Sequence, residues 1–133
     1  MPVAVKAKPS PFEVWLETSN EQTGSIMELM SEPLADNVGE LIPQLTAIEA
    51  WNARANTLLA EANAFLDIAE YEGIMTISRD LIALERAATL AAMVANQRKH
   101  RDILQGLVDS IKNRLILGES IIKSARETQR HVQ

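Results

Sequence analysis

The chain contains no cysteine, which removes disulfide scaffolds, thiolate zinc sites and cysteine nucleophiles together. Aromatic residues are scarce, with two Trp, two Phe and one Tyr among 133 residues, and none follows Tyr71. A core must therefore be built mainly from Ala, Leu and Ile, and base stacking can add little to any nucleic-acid contact. No apolar run approaches the roughly 20 residues that a membrane-spanning helix needs, so no membrane partner is expected. Residues 1–6 (Met-Pro-Val-Ala-Val-Lys) lack the charged-then-apolar layout of a secretory signal, and a cytoplasmic location is expected. Of the two histidines, His100 sits in a basic run and His131 close to the last residue; neither is followed by a carboxylate or second His at the third or fourth position. HExxH, the Glu-x-x-His pair of di-iron bundles, a Gly-rich phosphate loop and GxSxG are all missing. No catalytic residue, metal site or cofactor is expected, and the chain reads as a non-enzyme.

What remains is a chain that is 47% apolar and of single-domain length. Its many small residues let helices approach closely but bury little area each, so burial against a partner subunit would help a domain of this size. The net charge of −5 is unevenly spread: residues 1–50 carry eight acids against Lys6 and Lys8, whereas residues 96–133 carry eight Lys/Arg against four acids. Such asymmetry fits a nucleic-acid-facing C-terminal third. On charge alone it fits better an acidic helix pairing with a basic one, within or between subunits, because the overall pI of about 5.0 is far from that of a dedicated DNA binder.

The expected fold is all-α, a helical hairpin or bundle with long helices at about 38–72 and 79–128, preceded by a flexible arm at 1–37 and assembled as a homo-oligomer. The arm carries Pro2, Pro9, Pro11 and Pro33, turn signals at Thr18-Ser19-Asn20 and Thr23-Gly24-Ser25, and two short apolar clusters around Phe12–Leu16 and Ile26–Met30. Trp15 is suited either to anchor a partner or to tuck back onto its own core. From Val38 the apolar residues step by four and three through Leu41, Leu45, Ile48, Asn52, Ala55, Leu59, Ala62, Leu66 and Ala69, an a/d seam four heptads long. Asn37 or Asp36 can cap this helix, Pro43 is tolerated at most in its first turn, and Gly73 reads as its C-terminal stop. Trp51, Leu58 and Phe65 broaden the stripe. Asn52 either fixes the register of a buried seam or faces solvent.

After Ser78, a possible cap, helical composition runs to Asn96. The polar stretch Gln97–Asp102 is compatible with an exposed turn of one continuous helix or a break between two. The four–three step then returns through Leu104, Val108, Ile111, Leu115, Gly118, Ile122 and Ala125. Gly118 costs about 1 kcal/mol relative to Ala in an isolated helix, which makes sense only where another helix or subunit presses close. The residues expected at an oligomer interface are Trp51, Asn52, Leu58, Leu59, Phe65, Leu104, Val108, Ile111, Leu115, Gly118 and Ile122. Residues 38–133 are expected to form the helical oligomerisation domain.

Two segments carry a resemblance. Ala64-Phe65-Leu66-Asp67-Ile68-Ala69-Glu70-Tyr71-Glu72-Gly73 is similar to the Ala-x-Leu-Asp…Gly close of the first long helix in the UvsY-like recombination mediators of T4-type phages. Gly106-Leu107-Val108-Asp109-Ser110-Ile111-Lys112-Asn113-Arg114 resembles that family's Gly-x-x-Asp-x-Ile-Lys-x-Arg pattern. The resemblance covers residues 38–128 and implies a helical homo-oligomeric ring that binds single-stranded DNA. It further implies that the protein helps a RecA-like recombinase replace single-strand-binding protein. Where the family has basic residues just before the Leu-Asp step this chain has Asn63 and Phe65, which moves the expected DNA contact to Lys112 and Arg114, with Arg98, Lys99 and Arg101 added on charge. The competing expectation is a structural or interaction protein, such as a phage assembly factor or an inhibitor of a host complex, that binds no DNA.

Overall fold

The computed structural model describes residues 8–132, and within them every regular element is a helix. In chain order these are α1 (Pro11–Met30), α2 (Val38–Thr76), α3 (Ala83–Met93) and α4 (Ala95–Val132). The two long helices, α2 and α4, run antiparallel: Leu45 near the start of α2 lies at Gly118, and Glu70 near its end lies at Arg98.

The seam between them follows the expected spacing but is turned toward α1. Leu41, Leu45, Ile48, Ala55, Ala62 and Leu66 of α2 are buried, and so are Leu104, Ile111 and Gly118 of α4. Asn52, Leu59, Val108, Leu115 and Ile122, also on the expected seam, are only half-buried, whereas Leu58 and Leu107 are buried in their stead. A third helix accounts for the rotation: α1 adds Ile26 to the same core, so the centre of burial shifts off the line that a two-helix seam would have. Each large aliphatic side chain buried there contributes roughly 1.5–3 kcal/mol.

Gly118 makes room for this packing. A Cβ built on it would lie 2.6 Å from Leu45 Cδ1 and 3.0 Å from Leu45 Cγ, so the leucine occupies the space a side chain would need. The close neighbour anticipated at Gly118 is thus a helix of the same chain.

Residues 11–30 form one helix, and the turns expected at Thr18–Asn20 and Thr23–Ser25 do not occur. Ser10 and Glu13 make a reciprocal capping box with both N–H···O contacts at 3.2 Å, and Pro11 takes the first position, where its missing N–H costs nothing. The inward face of α1 is Trp15, Ser19, Thr23 and Ile26, of which the last three are buried. Those positions keep helical spacing, but two of them are polar, which hid the period. The expectation of an arm also extends over residues 1–7, which lie outside the described residues.

Three other boundaries depart from expectation. Pro43 sits in the second turn of α2 rather than the first, beyond the Asn37 cap whose side chain accepts the Glu40 N–H at 2.8 Å. Gly73 does not stop α2, which continues to Thr76 with no positive φ anywhere among the described residues. Its lack of a side chain serves packing instead, since a Cβ there would meet Leu90 Cδ1 of α3 at 2.6 Å. The segment expected as one helix at 79–128 breaks at Val94, whose backbone leaves helical values while its side chain becomes fully buried. The polar run 97–102 lies inside α4.

Replacing Gly118 by Ala should lower the unfolding free energy by about 1 kcal/mol, because the clash with Leu45 outweighs the roughly 1 kcal/mol that Ala gains in a helix. Gly106, where a Cβ would meet nothing within 4 Å, should respond to the same change with a gain of up to about 1 kcal/mol. Denaturant unfolding of the two variants checks this; equal signs at both positions would contradict the packing described.

Candidate nucleic-acid interface

An unbroken α4 of 38 residues gives its cations a fixed geometry. At 3.6 residues per turn, positions eleven apart return to nearly the same side of a helix, about 16 Å further along. Arg101, Lys112 and Lys123 are spaced in this way, Arg130 returns after seven more, and Arg98 and Arg126 lie within about 40° of the same line. Glu119 is the carboxylate that falls on this row. Lys112, Lys123, Arg126 and Arg130 are exposed, and none has a carboxylate partner among the described residues. The last three line a shallow groove with Ile122, Glu119 and Glu127.

Of the five cations expected to touch DNA, Arg98, Arg101 and Lys112 share this side of α4, whereas Arg114 and Lys99 do not. Arg114 is two residues from Lys112, about 200° around the helix, and its guanidinium donates to the Glu32 carbonyl at 2.6 Å. It therefore fastens the α1–α2 connection to α4. Lys99 lies on the α1 side as well, in a groove with Leu16, Asn20, His100 and Ile103. Arg98 is 3.6 Å from Glu70, and Arg101 donates to its neighbour Asp102 at 2.7 Å. Both pairs are substantially exposed, where such contacts contribute about 0–1 kcal/mol and release easily. Lys123, Arg126 and Arg130 were not among the expected contacts. The eleven-residue spacing points to Lys123, and helical steps of three and seven from it lead to Arg126 and Arg130.

The residues expected at an oligomer interface divide similarly. Leu58, Leu104, Ile111 and Gly118 are buried inside the chain's own seam. Phe65 is half-buried and stacks edge-on to Phe12 at 5.6 Å and against Trp15 at 5.1 Å, so Trp15 takes the inward of its two options. Asn52 accepts a 3.1 Å hydrogen bond from Asn56 one turn on. Trp51, Leu59, Val108, Leu115 and Ile122 stay half-buried around the core.

His100 marks where α1 is clamped to the root of α4. It is buried, its Nε2 is 2.8 Å from the Ser19 hydroxyl, and its ring meets Trp15 edge-on at 5.2 Å. Trp15 in turn donates its indole N–H to Glu61 at 2.9 Å, and Glu61 lies 3.7 Å from Arg54. Burial lowers the His100 pKa below its ordinary value, because a charged imidazole would lose its water without gaining a carboxylate. Sequence gave no hint of this, as the clamp joins residues 81 positions apart.

Comparison with family models, with curated proteins and with solved structures finds no match. Among the described residues, no helix is long and apolar enough to cross a membrane.

The buried His100 has a definite consequence for pH. The unfolded chain takes up a proton near pH 6.5 while the folded chain resists it, so the unfolded state binds more protons below that pH and stability falls as acid is added. The melting temperature of the native chain should therefore drop on going from pH 7.5 toward pH 5 more steeply than that of His100→Gln. Parallel pH profiles for the two proteins would contradict the assignment.

Proposed function

We propose that this chain works without bond chemistry, as a self-assembling accessory protein that binds single-stranded DNA along α4 and assists loading of a RecA-like recombinase. The observation that carries this reading is the row Arg101, Lys112, Lys123 and Arg130 on one side of a continuous helix. A flexible polyanion can follow such a row, and phosphate contacts of this kind need no sequence recognition. The row of one subunit is sparse and lacks aromatic partners for the bases, so useful affinity would come from several subunits acting on one strand. The two segments similar to UvsY-like mediators support the same reading, with Lys112 belonging to both the row and the motif.

A second reading has its own support. Arg98, Arg101 and Arg114 already engage Glu70, Asp102 and the Glu32 carbonyl, as they would in a structural or interaction protein whose cations serve its own fold. The exposed and unpartnered Lys112 and Lys123 favour the first.

Titration of a labelled single-stranded oligonucleotide at about 50 mM salt and upward separates the two. Binding should weaken with salt with a log–log slope of about −3 per subunit, roughly −0.7 for each of the four cations of the row. Reversing Lys112 and Lys123 to Glu should cost at least about ten-fold in affinity with helix content unchanged. Absence of binding by the assembled protein at low salt would contradict the proposal and leave the second reading.

A further inference from the structure

The exposed large apolar residues are concentrated where α2 ends and α3 folds back. Leu84 is 78% exposed, Met75 68% and Tyr71 66%, and Ile74, Ile82 and Met93 are each at least half exposed. This tip is built on a helix that cannot support it alone. α3 has 11 residues and buries none of them, and an isolated helix of that length is marginal in water. Its intimate contact is Leu90, seated over Gly73. A concentration of exposed apolar residues of this kind, rich in Met and carrying a Tyr, marks a protein contact.

The charges around the tip indicate the occupant. Two shallow grooves flank the α2–α3 contact and share Met75. Arg79 and Arg86 line one of them, with Ile74, Ile77 and Leu90; Glu72 lines the other, with Tyr71 and Met93. None of these three ions has a partner of opposite charge among the described residues. Nucleic acid or an anionic lipid surface would call for cations throughout, whereas here the signs are divided between the two grooves. Opposite signs in neighbouring grooves allow self-complementarity: about a two-fold axis, the arginine groove of each copy would face the Glu72 groove of the other.

We infer that the tip formed by the end of α2 and by α3 is the surface on which two copies of this chain meet. The inference rests on the reading that the chain self-assembles, and it names the contact. It is compatible with the proposed DNA row, because Lys112 lies about 27 Å along α4 from the α3–α4 break at Val94. Pairing at the tips leaves both rows open and extends the track available to one strand.

The test is solution mass against concentration for the full chain and for Leu84→Glu, Glu72→Arg, Arg86→Glu and the double variant Glu72→Arg/Arg86→Glu, with circular dichroism confirming that each is folded. The native chain should associate, and Leu84→Glu, at a residue that makes no buried contact, should shift it toward monomer with helix content retained. Each single reversal should weaken association about five-fold, and the double reversal should restore it to within about two-fold. Association untouched by Leu84→Glu, or single reversals not repaired by the double, would overturn the tip as the interface while leaving assembly through another face. A native chain that is monomeric throughout would overturn the inference and the assembly it rests on. Tip-dependent association without oligonucleotide binding would support the interface and count against the DNA reading alone.

Discussion

Leu45 fills the space left by the missing side chain at Gly118, and the rest of the molecule is arranged around that approach of α2 to α4. Because the two helices come so near at one end, their seam can be lined with Ala55 and Ala62 as well as with leucine and isoleucine and still exclude water. A second glycine works the same way at the other end, where Gly73 admits Leu90 and lets α3 lie back along α2. Small residues thus set the distances, and the larger aliphatics fill what those distances leave.

The third helix decides what the hairpin has left to offer. With α1 laid on one side, burial moves toward Leu58, Leu107 and Ile26, and the flank of α4 that carries Arg101, Lys112 and Lys123 stays exposed or half-exposed. Polar residues do much of the clamping: Ser19 on His100, Trp15 on Glu61, Arg114 on the Glu32 carbonyl. Such contacts fix position more than they add stability.

The hairpin was legible from sequence because its seam is apolar at strict spacing, and Gly118 was legible as a close approach because a glycine on that seam needs a reason. Which neighbour it approached was not, since a helix of the same chain and one of a second subunit leave the same spacing. α1 was hidden by Ser19 and Thr23, polar residues at inward positions that broke the apolar period and mimicked turns. Gly73 looked like a helix stop because its local signal is the same whether a glycine ends a helix or admits a neighbour. The break at Val94 carries neither Gly nor Pro, and the burial of the Val94 side chain is a tertiary matter that no local pattern records. Among the cations, total charge was visible, but Lys112 and Arg114 look adjacent in sequence yet point to opposite sides of α4.

The central claim is that α2 pairs with α4 of its own chain. It is tested most directly by placing spin labels at Asn56→Cys and Gln105→Cys, exposed positions that the antiparallel register sets across the seam, in a chain with no other cysteine. The doubly labelled protein is unfolded together with a large excess of unlabelled chain, refolded, and the label separation measured. The account predicts a short separation, set by the roughly 8–10 Å between packed helix axes, that persists undiminished in the mixture. Loss of that short distance on mixing would show that the seam is closed between chains, and would contradict it.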